Sequence, residues 1–184
     1  MVRNSESENT VMRLWLLLNR THDTLNLCQD SVFSEYGITT EQLSVLACLK
    51  SRGGFLRPVD LAKILERRPN SMSMLVDRMV KAGLVKRRRD KKDRRAVVVS
   101  LTGKGETIVG PATAAGWEFI QKILLPLSDK DKQTLASMLE IVKGQALGYL
   151  SPEVDVVEIV RNSFTKDTNL YKRMAKNILH SGSE

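Results

Sequence analysis

A mainly α-helical fold carrying one small β-hairpin is what this chain of 184 residues predicts, with a helix–turn–helix unit and its hairpin in the middle and long helices on either side. Three observations carry that expectation. Apolar residues recur three and four positions apart along most of the chain, the mark of amphipathic helices. One β-branched run, Val97-Val98-Val99, breaks the pattern and reads as a strand. The excess positive charge is confined to one short region around the stretch that precedes that run.

Val11, Leu14, Trp15, Leu18, Leu25 and Val32 recur at helical spacing, with Leu16, Leu17, Leu27 and Phe33 widening the stripe, so residues 9–35 read as one long helix. A helix apolar over so much of its circumference needs more than one partner. Gly37 ends it. Thr39 and Gln42 form a capping box that opens a second helix, Thr40 to Lys50, with Leu43, Leu46, Ala47 and Leu49 apolar, and Arg52-Gly53-Gly54 stops that one. Pro58 suits the first position of a short helix, Pro58 to Glu66, with Leu61, Ala62 and Leu65 turned inward. Pro69 marks the next start. Over Asn70 to Ala82, Met72, Leu75, Val76, Met79 and Val80 share one face and leave Asn70, Ser71, Ser73, Met74, Arg78 and Lys81 on the other, with Gly83 as the stop.

Leu84-Val85, a basic run and Ala96 to Leu101 then make two strands joined by a cationic tip. Thr102 caps a helix reaching about Leu125, in which Gly110-Pro111 should bend or break the chain because proline lacks a backbone donor. Ser128 and Asp131 form a second capping box, opening a helix to about Tyr149 with Leu135, Met138, Leu139 and Val142 in register. From Pro152 the last 33 residues are charge-neutral and hold two amphipathic segments, Glu153 to Asn162 and Lys166 to Leu179. The organisation expected is a dimerisation helix over 1–36, a winged helix-turn-helix domain over 37–102, further dimerisation helices over 103–150, and a helical extension over 151–184.

The formal net charge is +8, with 29 Lys and Arg against 21 Asp and Glu. Residues 1–50 carry −2, 51–85 carry +4, 86–95 carry +6 and 96–184 carry zero. The run Lys86-Arg87-Arg88-Arg89-Asp90-Lys91-Lys92-Asp93-Arg94-Arg95 puts eight cations in ten positions, which repel one another unless solvated or set against a polyanion. The longest strongly apolar run, Leu14 to Leu18, falls far short of the roughly 20 residues of a membrane-spanning helix, so no membrane anchor is expected. Cys28 and Cys48 form no Cys-x-x-Cys pair and have no histidine pair nearby, which argues against a disulfide scaffold or a structural zinc and for a cytoplasmic location. Two helices, a tight turn and a basic hairpin suit double-stranded DNA. The second helix fits a major groove about 12 Å wide, while the hairpin tip reaches the neighbouring minor groove.

The segment Leu75-Val76-Asp77-Arg78-Met79-Val80-Lys81-Ala82-Gly83-Leu84-Val85 is followed by Asp90-Lys91-Lys92-Asp93-Arg94-Arg95 and by Val99-Ser100-Leu101-Thr102-Gly103-Lys104-Gly105. In that order and spacing the chain resembles the MarR-type (multiple antibiotic resistance) regulators over roughly Asn9 to Leu150, with Met79 where the family usually has Leu. The resemblance implies an obligate homodimer whose two winged domains read a pseudo-palindrome, with half-sites about 10 bp apart. It also implies that Arg94 enters the minor groove. Asp93 and Arg95 are read as an ion pair holding the wing tip in shape. Asn70, Ser71, Ser73 and Met74, on the first exposed turns of the second helix, are the candidate base readers; Arg78, Lys86, Arg87, Arg88 and Arg89 are the candidate phosphate contacts.

Family members often bind small, frequently aromatic and anionic molecules, and others sense oxidants through cysteine. Cys28 is the candidate redox sensor here, against the alternative of a small buried hydrophobe, which is favoured. The extension 151–184 departs from the family pattern; it is read as added dimer area, with covering the ligand cleft or docking a partner as the alternatives. The function expected is a dimeric sequence-specific transcriptional regulator, a repressor released by a small ligand or oxidant, with a nonspecific architectural DNA binder as the alternative. No enzyme, metal or cofactor is expected. The chain shows no glycine-rich phosphate loop, nucleophile elbow or metal-ligand cluster, and its two histidines give acid–base chemistry little to work with.

Overall fold

A computed structural model describes residues 2–89 and 96–150. The element order is α1 (Val2–Ser34), α2 (Thr40–Ser51), β1 (Phe55–Leu56), α3 (Pro58–Ile64), α4 (Pro69–Lys81), β2 (Val85–Arg89), β3 (Val97–Leu101), α5 (Gly103–Leu124) and α6 (Asp129–Leu150). The chain divides into two compact units, Met1–Ala112 and Thr113–Glu184. The wing tip, 90–95, and the extension, 151–184, lie outside the described residues, and so do the roles expected of Asp93, Arg94 and Arg95.

The first unit is built on α2, which is buried along Leu43, Val45, Leu46, Ala47, Cys48 and Leu49. Its start is capped twice. Thr39 Oγ1 accepts from the Gln42 amide while the Gln42 side chain accepts from the Thr39 amide, completing the capping box. Asp30, on α1, accepts from both the Thr40 amide at 2.8 Å and the Thr40 hydroxyl at 2.7 Å, so a carboxylate sits on the positive end of α2. These two bonds from Thr40 hold the Asp30 carboxyl below its ordinary value of 3.8.

Around α2 pack the short α3 and α4, each with proline at its first turn, and a three-stranded antiparallel sheet ordered β1-β3-β2. The core is Leu46, Leu49, Leu61, Met72, Val76, Met79, Leu84, Val85 and Val99, all almost fully buried. The hairpin register is Val85 with Leu101, Arg87 with Val99 and Arg89 with Val97. The two-residue strand β1, paired through Phe55 with Ser100 and Leu56 with Val99, has no periodicity to announce it in the sequence. Val80, expected on the buried face of α4, is exposed: it stands next to Met79 and Lys81, at the edge where the buried arc ends.

The junction of α4, β2, β3 and α5 is held by backbone carbonyls. Gly83, at φ +70, closes α4 with its amide on the Val80 carbonyl and the Leu84 amide on Met79. The Thr102 hydroxyl donates to the carbonyls of Gly83 (2.6 Å) and Leu84 (3.0 Å) and accepts from the Gly105 amide. Lys104 Nζ reaches the Ala82 carbonyl at 3.0 Å, a cation on the negative end of α4. Of the expected bend or break at Gly110-Pro111, the break does not occur: α5 runs unbroken through Pro111. Gly110 stands just before the proline, and without a Cβ it avoids the clash that drives the preceding residue out of the helical region.

In the second unit, α6 opens at Ser128, whose hydroxyl accepts from the Asp131 amide and donates to the Asp131 carboxylate at 2.6 Å. The cap is present, but Asp131 answers the hydroxyl, because its shorter side chain replaces the Glu or Gln of the usual box. No residue of α6 is buried.

Two outcomes follow for stability. A Cβ at Gly105 would collide with the Leu84 carbonyl, whereas one at Gly103 meets nothing within 4 Å. Gly105→Ala is therefore expected to cost roughly 1–3 kcal/mol in urea unfolding, and Gly103→Ala to stay within about 0.5 kcal/mol. Because folding lowers the pKa of Asp30, its contribution is complete above the unfolded value of 3.8 and is lost as the pH falls through the folded value. Asp30→Asn should melt below the wild type at pH 7, with the gap closing as the pH drops under 3.8.

Candidate nucleic-acid interface

Along α4, Asn70, Ser71, Met74, Asp77, Arg78 and Lys81 are exposed and recur three and four apart, so they form one continuous face. Ser73 is half-buried at its edge. Met74 is 67% exposed in the middle of that face, an apolar side chain left uncovered among the described residues. The turn into α4 is tight: the Arg67 amide closes on the Ala62 carbonyl at 2.8 Å, with Glu66 at φ +51 in the left-handed region. Arg67 pairs with Glu41 of α2 at 2.8 Å, which ties this turn to the central helix.

On β2 the alternation of a strand separates the cations. Val85 and Arg87 share one face; Val85 is buried, and Arg87 Nη2 meets Asp77 Oδ1 of α4 at 2.9 Å. Lys86 and Arg88 share the other, where the Arg88 guanidinium lies 5.0 Å over the ring of Phe55 on β1. Lys86 and Arg89 are exposed, with no ion pair among the described residues. Of the expected phosphate contacts, then, Arg78, Lys86 and Arg89 stand open to solvent, while Arg87 and Arg88 are engaged by Asp77 and Phe55. Both partners escaped sequence reasoning. Asp77 sat inside a motif with no role of its own, and Phe55 followed two glycines in a stretch read as a stop.

The α4 face and the root of the hairpin thus belong to one unit, joined by an ion pair and by the carbonyl junction. Among the described residues no group of three or more His, Cys, Asp or Glu could hold a metal ion, and no helix is long and apolar enough to cross a membrane. Cys48 is buried in α2, and Cys28 is half-buried on α1.

Truncating Phe55 tests the lesser of the two attachments. Phe55→Leu keeps an apolar β1 but removes the ring face under Arg88, and the expected cost to unfolding is about 0.5–1 kcal/mol.

Comparison with known proteins places this geometry. Residues 38–97 match the family model described as the MarR family. The chain is similar to the HTH-type transcriptional regulator PecS of Dickeya dadantii, 28% identical over 132 residues that cover 71% of this chain and 75% of that protein. It is also similar to the HTH-type transcriptional repressor MdtR of Bacillus subtilis, 37% identical over 70 residues covering 38% of this chain and 44% of that one. Among solved structures it resembles a cysteine-to-serine mutant of MarR from Escherichia coli complexed with operator DNA. The TM-score is 0.66 and the identity 26%, over 73% of this chain and 96% of that chain.

Proposed function

This chain belongs to the MarR family of transcriptional regulators, and from that premise we propose that it is a dimeric repressor that binds a pseudo-palindromic operator and is released by a small ligand or an oxidant. The observation that carries the reading is the continuous α4 face, with Asn70, Ser71 and Met74 on its first turns and open cations behind and beside it. Asn70 suits adenine, whose N6 and N7 match an amide; Met74 suits the 5-methyl group of thymine; Ser71 and Ser73 complete the set of base readers. Arg78, Lys86 and Arg89 neutralise phosphates and fix the register. Arg94 enters the minor groove, on a tip shaped by Asp93 and Arg95.

Dimerisation is supported by apolar surface that is exposed among the described residues. On α1, Val11, Leu14, Leu17 and Trp15 are exposed, Trp15 to 61%; on α6, Met138 and Ile141 are exposed, Ile141 to 66%. A second copy is the partner that gives both helices a buried face, and a two-fold dimer holds its reading helices about one DNA turn apart. Release by an oxidant has Cys28 as its candidate, and the regulator works in the cytoplasm on double-stranded DNA.

Selection of bound duplexes by the purified protein should enrich a palindrome with half-sites about 10 bp apart, favoured about 10³-fold or more over random duplex. Equal affinity for random duplex would replace this reading with a nonspecific architectural one. On the selected operator, Arg94→Ala should cost roughly 1–3 kcal/mol. Replacing single thymines of the half-site by deoxyuridine, which removes only the methyl group, should weaken the wild type at one position and leave Met74→Ala unaffected there. Wild-type binding indifferent to every such replacement would remove Met74 from the base readers.

A further inference from the structure

The basic run has been treated as one electrostatic surface, but the strand alternation gives its members different work. We propose that Arg87 is a positioning residue that acts through Asp77, and that it is not a phosphate ligand. This inference rests on the DNA-binding reading above and sharpens it.

Asp77 lies on the exposed face of α4, three residues beyond Met74 and next to Arg78. A carboxylate there faces the same polyanion as the base readers and repels it. Arg87 Nη2 stands 2.9 Å from Asp77 Oδ1, with the two side chains 41% and 56% exposed. A pair this open to solvent contributes little to the stability of the free protein. Its value appears when DNA approaches: the carboxylate is already neutralised, and the guanidinium fork keeps the root of β2 at a fixed angle to α4. The alternation puts Arg87 on the Val85 side of β2, where Asp77 meets it. Its neighbours along the same face are Val85, buried in the core, and Arg89, toward the tip. A guanidinium spent on an internal carboxylate is not counted among the cations that release counterions from the duplex.

The test is a double-mutant cycle of Arg87→Gln and Asp77→Asn, with Arg89→Gln as the control, measured as operator affinity from low to high salt. For an assumed dimer each substitution acts twice, so losing a phosphate ligand flattens the log–log salt slope by about 1.8. Arg89→Gln should show that change in either background. Arg87→Gln should weaken binding about tenfold while Asp77 is present, with the slope unchanged, and less than about twofold when residue 77 is already Asn. A cost that does not depend on residue 77, or a slope flattened as in Arg89→Gln, overturns the assignment. Thermal melting without DNA should show all variants folded, with near-additive shifts, because so exposed a pair adds little to the free protein. Failure of the wild type to bind any duplex would overturn the regulator, whereas operator binding by the wild type with a cost at residue 87 that ignores residue 77 would overturn the positioning role alone.

Discussion

One hydroxyl holds the reading apparatus together. Thr102 follows the last strand residue and precedes α5, and its Oγ1 bonds the carbonyls that end α4 and begin β2 while capping the next helix through the Gly105 amide. Four elements are thereby joined at one point, at positions where the backbone of an ordinary turn would leave carbonyls to water. The approach is close enough that only glycine fits at 105, and the turn itself needs Gly83 in the left-handed region. The stretch Leu101-Thr102-Gly103-Lys104-Gly105 thus has a physical reading. Thr102 ties, Lys104 neutralises the end of α4, and Gly105 makes room. Without this tie the helix that carries Asn70 and Met74 and the hairpin that carries the cations would be two separate surfaces.

Most of this architecture was legible because it is written in local chemistry. The capping box at Thr39, the prolines opening α3 and α4, and the glycine closing α4 each act within a few residues, and each is found where the sequence puts it. What sequence reasoning missed depends on contacts far along the chain. Phe55 becomes a strand residue only because β3, more than 40 positions away, offers Ser100 as its partner. Asp30 caps a helix ten residues later. Asp77 acquires a role only when β2 folds back and brings Arg87 to it. At Pro111 the outcome turns on the neighbouring residue: Gly110 has no Cβ to clash with the proline ring, so α5 stays unbroken.

Charge shows the same division. A count of cations locates the basic region, but the count treats Lys86, Arg87, Arg88 and Arg89 alike. The period of two in a strand directs alternate side chains to opposite faces, so one arginine meets a carboxylate, another an aromatic ring, and the rest meet solvent. On the proposed reading, two of these four cations shape the surface and two remain to attract the duplex. Long apolar helices follow a parallel logic: the circumference of α1 and α6 exposed among the described residues is the surface that the proposed second copy would bury.

The proposed function requires α4 and the hairpin to engage DNA as one unit. Amide hydrogen exchange, compared between the free protein and its complex with the selected operator, tests it most directly. Slowed exchange is predicted together over the first turns of α4 and over β2 and β3. Slowing on only one of these elements, or on neither while another surface is protected, would contradict the claim.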